Sequence, residues 1–184
     1  MILVIGGSGS GKSEFAEKLI TQIADNRGLE LYYLATMKIY GEEDEKKIEK
    51  HRRMRAGKGF TTIEQAADIC LAVNEMHPAG KADSGKKPAV LLECVSNLTA
   101  NEMFKDSGSV APEDAAKKIL RDISVLNKDC GEFVVVSDDA FEDGMDYPQE
   151  IKAYAAALGK INRHLAKAAD EVFEVVAGIP VRVK

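Results

Sequence analysis

The eight residues from Gly6 to Ser13, GGSGSGKS, put a lysine and a hydroxyl directly after a run of glycines. Gly6, Gly11, Lys12 and Ser13 have the spacing GxxxxGKS, between an apolar run suited to a strand and a segment of helical periodicity. Glycines let the backbone curl so that successive amide protons point at a phosphate, and the N-terminus of the following helix adds positive potential. Lys12 then neutralises phosphate charge, and the Ser13 hydroxyl suits Mg²⁺. Gly6, Gly7, Ser8, Gly9, Ser10 and Gly11 are therefore the expected cradle of a nucleoside triphosphate, with Lys12 as its catalytic cation. Proteins with such a loop commonly carry an acid at the end of a neighbouring strand to hold the metal or its water. The run AVLLEC places Glu93 there, so Ser13 and Glu93 are the expected metal-binding pair.

A second chemical signal is KKIEKHRRMR. In a helix His51 and Arg55 are four apart and share a face, while Arg52 begins the adjacent one, so an imidazole is surrounded by groups that bind phosphate oxygens. Neutral imidazole can attack the α-phosphate of a nucleoside triphosphate, expel pyrophosphate and hold the nucleotidyl group through a P–N bond. Nearby cations lower its proton affinity and keep it neutral. On residue types alone, the same stretch also reads as a surface helix ending in basic residues. His77 and His164 read as solvated or packed. Two echoes of nucleotide motifs are set aside. GKADSGKK, residues 80–87, lacks the final Ser or Thr, follows no strand and runs into Pro88. NKDC, residues 127–130, has its aspartate one place early for a guanine-reading motif and precedes a strand.

The elements that must hold these groups follow from hydrophobic period. Residues 2–5, 31–35, 89–94 and 133–137 are short apolar runs suited to strands covered on both faces. Residues 12–24, 42–55, 64–76, 112–127 and 148–169 read as helices, the fourth opened by proline in its first turn. HPAGKADSGKKP, residues 77–88, reads as a mobile surface loop. Residues 172–176 and 180–183, separated by AGI, look like a closing pair of strands joined by a tight turn. Strands alternating with helices predict an α/β fold of P-loop NTPase type, with a mainly parallel central sheet flanked by helices and a C-terminal strand pair.

The chain of 184 residues is expected to form one domain, residues 1–184, around a single core. Its formal charge of −5 mixes both signs, which argues against a nucleic-acid partner held by a broad basic face. Cys70, Cys94 and Cys130 form no CxxC pair and are odd in number, so neither a disulfide framework nor a zinc site is indicated, and a reducing, cytoplasmic setting is expected. The apolar run at the start is far too short for a signal peptide or a membrane span.

The blocks MILVIGGSGSGKSEFAE, YLATM, KIEKHRRMR, TTIE, LLECVSNLTAN and AADEVFEVVAGIPVRVK occur together in this chain. In order and spacing they resemble the bifunctional adenosylcobinamide kinase and adenosylcobinamide-phosphate guanylyltransferase family of cobalamin synthesis, over nearly the whole length. The resemblance implies phosphorylation of the aminopropanol hydroxyl of cobinamide by ATP or GTP, followed by transfer of GMP from GTP. It implies His51 as the residue carrying GMP, and nucleotide contacts at Gly6 to Ser13, at Ala35, Thr36 and Met37, at Arg52, Arg53, Met54 and Arg55, and at Glu64 and Glu93. It also implies a symmetric homo-oligomer, a trimer, in which a site is shared between subunits. The chain departs from the family pattern where an Asn-Glu pair is usual and VVVSDDAFEDGMDYP stands instead, with Ser137, Asp138 and Asp139. Met54 replaces an arginine, Ala56 a proline, Phe60 a tryptophan and Leu98 an aromatic, while Ser96 can serve for a threonine and Asn101 is kept. Alternatives are a P-loop kinase without guanylyl transfer and a nucleotide-binding protein without catalysis.

Overall fold

The computed structural model describes residues 1–38, 41, 49, 53, 55–77, 85–106, 108–139 and 146–184. In chain order the elements are β1 (Ile2–Gly6), α1 (Lys12–Arg27), β2 (Leu31–Ala35), β3 (Thr61–Glu64), a 3₁₀ turn (Ile69–Leu71) and α2 (Ala72–Met76). They continue with β4 (Ala89–Glu93), α3 (Val95–Met103), the short pair β5 (Phe104–Lys105) and β6 (Gly108–Ser109), α4 (Pro112–Asp129), β7 (Glu132–Asp138), α5 (Gln149–Ala168), β8 (Glu171–Val176) and β9 (Ile179–Arg182). The main sheet runs β3-β2-β4-β7-β1-β8-β9, parallel at every step except the last. This is the expected architecture, and its strands are apolar on both sides because helices cover both faces.

Alternation along the strands divides the core in two. Leu3, Leu34, Leu92 and Val135 point to one face and pack with Leu98 of α3, Ile119 and Leu126 of α4, and Ile161 and Leu165 of α5. Val4, Tyr33, Leu91 and Val136 point to the other and pack with Ala16, Ile20 and Ala24 of α1. Gly28 ends α1 in the left-handed conformation at φ 61°, and the Leu29 amide donates back to the Ala24 carbonyl at 3.0 Å. The turn between β8 and β9 has two residues, Ala177 at φ 51° and Gly178 at φ 81°. Positive φ at both positions gives the right-handed twist that a two-residue hairpin needs.

One expected helix is replaced. Residues 64–76 contain an edge-strand end, an irregular stretch, a 3₁₀ turn and only five helical residues. The TTIE segment forms β3, because pairing with β2 covers that edge of the sheet and buries Ile63. α3 was not foreseen: it follows β4 directly and carries Leu98 and Asn101 inward. Of the expected helix 42–55, Glu49, Arg53 and Arg55 are described and are helical. Residues 78–84 of the expected loop lie outside the described residues. Lys86 donates to the Arg27 carbonyl at 3.0 Å, and the Pro88 carbonyl accepts from the Gly131 amide at 2.8 Å, so the exit from this segment is tied to the sheet.

A charge cluster locks the helical face. Lys118 of α4 lies 2.8 Å from Asp68 and 3.0 Å from Asp122, and also contacts Glu102 of α3, whose other oxygen is 2.9 Å from Lys105. Burial alone would raise the Glu102 carboxyl, but the Asp68 amide, Lys118 and Lys105 hold it below the ordinary carboxylate value. Lys118 likewise lowers Asp68. Carboxyls depressed in the folded state contribute stability that is present above their unfolded values and lost as pH falls through the folded ones. Lys118→Met is expected to cost about 3 kcal/mol at pH 7, since it strands Glu102 and Asp122 with less compensation. In denaturant titrations from pH 7 to 3, the variant should also lose the part of the acid dependence that Asp68 and Glu102 supply.

Candidate functional site

The glycine-rich loop leaves the sheet where β1 lies between β7 and β8. A Cβ on Gly6 would stand 2.5 Å from the Val175 carbonyl oxygen, so the loop can turn there only without a side chain. Gly11 begins α1 at φ 92°. The Ser10 amide donates to the Gly7 carbonyl at 3.2 Å, and the Ser10 carbonyl accepts from the Gly178 amide at 2.8 Å, so the β8–β9 turn braces the loop. Lys12 is buried; its ammonium lies 3.1 Å from the Gly7 carbonyl and 2.6 Å from Asp138 Oδ1. Ser13 Oγ donates to Glu93 Oε1.

The carboxyl ends of the parallel strands bring the other predicted residues into one row. Ala35 pairs in register with both Glu64 of β3 and Glu93 of β4, and Gly6 pairs with Asp138 of β7. Ligands of open parallel sheets bind outside these strand ends. Thr36 is fully buried: its hydroxyl donates to the Cys94 carbonyl and accepts from the Cys94 amide, both at 2.8 Å. Its carbonyl accepts from Asn101 Nδ2 at 2.7 Å. Thr36 thus fixes the β2–β4 strand ends, whereas Ala35 and Met37 are half-buried beside it and Glu64 is exposed. Burial, then the Asp138 carboxylate, pushes the Cys94 thiol up to about 12, so it is a neutral packing group at pH 7.

The basic segment divides by side chain. Arg53 is exposed and paired with Glu49 at 3.0 Å. Arg55 is buried, its guanidinium 3.6 Å from the centre of the Tyr33 ring. Phe60 meets the same ring edge-on at 5.9 Å, and Lys58 reaches fully buried Glu17 of α1 at 2.7 Å. Burial and then the neighbouring Glu93 carboxylate raise the Tyr33 hydroxyl well above its ordinary value, against the opposing pull of Arg55. Ser13, Glu93, Tyr33 and Arg55 therefore form a continuous chain of contacts from the loop to the segment carrying the basic residues. An open recess of about 430 Å³ follows it, lined by Arg55, Ala56, Gly57, Gly59, Phe60 and Thr62. His51, Arg52 and Met54 lie outside the described residues.

Sequence reasoning did not single out Tyr33, Glu17 or Lys58, and it named Asp138 without a place for it. Asp138 carried the same signal as Glu93, an acid ending an apolar strand. Glu17 carried none, because an acid within α1 looks like any solvated helix position. Residues 127–130 end α4 and precede β7, at the edge of the sheet opposite the glycine loop, as their dismissal requires.

The loop geometry separates two glycines. Gly6→Ala should cost about 1–3 kcal/mol in chemical denaturation, since the Val175 carbonyl must move. Gly7→Ala, with nothing within 4 Å of its Cβ, should stay within about 0.5 kcal/mol of the parent.

Residues 2–183 match the family described as cobinamide kinase / cobinamide phosphate guanyltransferase. The chain is 30% identical to a bifunctional adenosylcobalamin biosynthesis protein CobU of Escherichia coli (strain K12) over 193 aligned residues, covering 100% of this chain and 99% of the relative. It has the same identity and coverage with the CobU protein of Salmonella typhimurium. With the bifunctional adenosylcobalamin biosynthesis protein CobP of Pseudomonas aeruginosa it shares 24% identity, over 99% of this chain and 96% of the relative. Among solved structures, the ATPase domain of a helicase shares the fold, with a TM-score of 0.56 and 14% identity over 94% of this chain and 68% of that one. With a glycine-lysine-serine loop seated between β1 and α1 and a match from the first strand through β9, the chain belongs to the cobinamide kinase / cobinamide phosphate guanyltransferase family.

Proposed function

We propose that this chain phosphorylates the aminopropanol hydroxyl of adenosylcobinamide with ATP or GTP, then transfers GMP from GTP to the resulting phosphate, giving adenosylcobinamide-GDP in the cytoplasm. The observation that carries this reading is the family match along residues 2–183. In the first reaction the loop from Gly6 to Ser13 gathers the triphosphate, and Lys12 neutralises charge on the transferring phosphoryl group. The hydroxyl oxygen forms a bond to the γ-phosphorus, the bridging bond to the β-phosphate breaks, and the electron pair leaves on the nucleoside diphosphate. The Ser13 hydroxyl and the Glu93 carboxylate, already in contact, are hard oxygen donors of the kind Mg²⁺ takes. Bound there, Mg²⁺ would supply further charge neutralisation across the phosphates.

In the second reaction a neutral His51 nitrogen attacks the α-phosphorus of GTP. A P–N bond forms and pyrophosphate departs. The cobinamide phosphate oxygen then attacks the same phosphorus and His51 leaves. Arg52 and Arg53 are suited to balance the charge of this exchange, while Arg55 would contact nucleotide only by leaving Tyr33. Ala35, Met37 and Glu64 border the same strand ends as nucleotide contacts. We read residues 1–184 as one domain and the chain as a homo-oligomer, a trimer. The unpaired β9 edge, with exposed Ile179, Val181 and Val183, is a surface that a second copy would cover. No helix among the described residues is long and apolar enough to cross a membrane.

Incubation with Mg²⁺ and GTP labelled at the α-phosphate should label the protein through an acid-labile, alkali-stable bond, and His51→Ala should abolish the label. Addition of cobinamide phosphate should discharge it. Wild type that binds nucleotide but takes no label would defeat the covalent mechanism and leave a kinase. Glu93→Gln, which keeps shape but removes charge, is expected to bind Mg²⁺-free nucleotide within about twofold of wild type and to lose roughly 10²-fold or more of Mg²⁺-dependent phosphorylation.

A further inference from the structure

Lys12 is not an idle cation waiting for phosphate. Two of its three protons already have acceptors, the Gly7 carbonyl at 3.1 Å and Asp138 Oδ1 at 2.6 Å. Asp138 is held firmly for this purpose. Its Oδ2 accepts from Ser96 Oγ, with Cys94 Sγ 3.9 Å away, and its main-chain carbonyl accepts from Asn162 of α5 at 3.1 Å. Asn162 in turn accepts from Ser137 at 2.6 Å, and Tyr154 donates to the Ser96 carbonyl at 3.1 Å. The carboxylate is fixed to a central strand, whereas the lysine is a flexible chain. When an anion enters the loop, Lys12 is therefore the partner that reorients, and Asp138 stays where it is.

We propose that Asp138 is an internal anion that competes with the nucleotide for Lys12 and so determines how strongly the loop prefers a triphosphate to a diphosphate. The inference rests on the reading of this loop as a nucleotide site, and not on the identity of the alcohol phosphorylated. Phosphate meets an ammonium whose charge is already balanced, and it meets a fixed negative charge beside it at low exposure, where Coulomb terms are large. A triphosphate compensates through more contacts with the lysine and the loop amides. A diphosphate has lost the phosphoryl group next to Lys12, so Asp138 reclaims the ammonium and the product is held less tightly. Apparent affinity falls by the fraction of time the lysine is engaged elsewhere.

The test is calorimetric binding of ADP and of a non-hydrolysable ATP analogue to the full chain, wild type and Asp138→Asn, each with and without Mg²⁺. The amide keeps the shape and the Ser96 and Asn162 contacts but removes the charge. ADP is expected to bind about tenfold more tightly to Asp138→Asn, the triphosphate analogue to gain less, and both gains to vanish in a Lys12→Met background. Asp138→Ser repeats the charge deletion with a different shape, and thermal melting of each variant checks its folding. Unchanged or weaker ADP binding in a folded variant overturns the proposal, and weakening confined to Mg²⁺ overturns it in favour of Asp138 as a metal ligand. Wild type that binds no nucleotide refutes the site reading itself. Intact wild-type binding with no response at position 138 refutes only the competition.

Discussion

A site for a polyanion must attract several negative charges and still be a stable piece of protein when none is there. That requirement shapes the carboxyl edge of this sheet. Lys12 is matched by Asp138, Lys58 by Glu17, and Arg55 by the electron-rich face of Tyr33, whose hydroxyl in turn meets Glu93. A lone ammonium or carboxylate at this level of burial would cost several kcal/mol. Paired, the charges cost far less, and each pair can be opened by a ligand carrying a better partner. β4 and β7 must end in acids for this to hold, and both do.

The pairs also tie distant segments together. Tyr33 sits at the centre, touching the carboxylate that serves the loop serine on one side and the basic segment on the other. Removing its ring would loosen Arg55 and Phe60 at once, while removing only its hydroxyl would disturb Glu93. The two ends of the site are coupled by packing and by charge along one strand end, and a change at either is felt at the other through a side chain that binds nothing itself.

Much of this was legible in the sequence, for physical reasons. Strands buried on both faces are continuous apolar runs, so β1, β2, β4 and β7 announced themselves, as did the loop whose glycines and lysine have no other common use. The AGI turn read correctly because a two-residue hairpin tolerates few residues. The edge strand β3 was missed, since half of it is exposed and its TTIE carries little periodicity, and the following residues look helical until the 3₁₀ turn interrupts them. α3 was hidden behind an apparent strand end at Cys94. Within the site, side-chain identity was readable and pairing was not. Nothing in the spacing says that Arg55 turns inward onto Tyr33 while Arg53 points out, because partners from β2 and α1 are supplied by the fold and not by the local sequence.

The phosphate loop is among the first segments of this chain to be synthesised, yet its walls arrive late. β1 is held between β7 and β8, Gly6 packs under Val175, and Ser10 is braced by Gly178. A nascent chain lacking β8 and its turn has the loop sequence without the loop's shape. Contacts of such long sequence separation form slowly. Competence to hold nucleotide should therefore be acquired abruptly near the end of folding, so that nucleotide binds only chains whose sheet is complete and stabilises those chains by mass action.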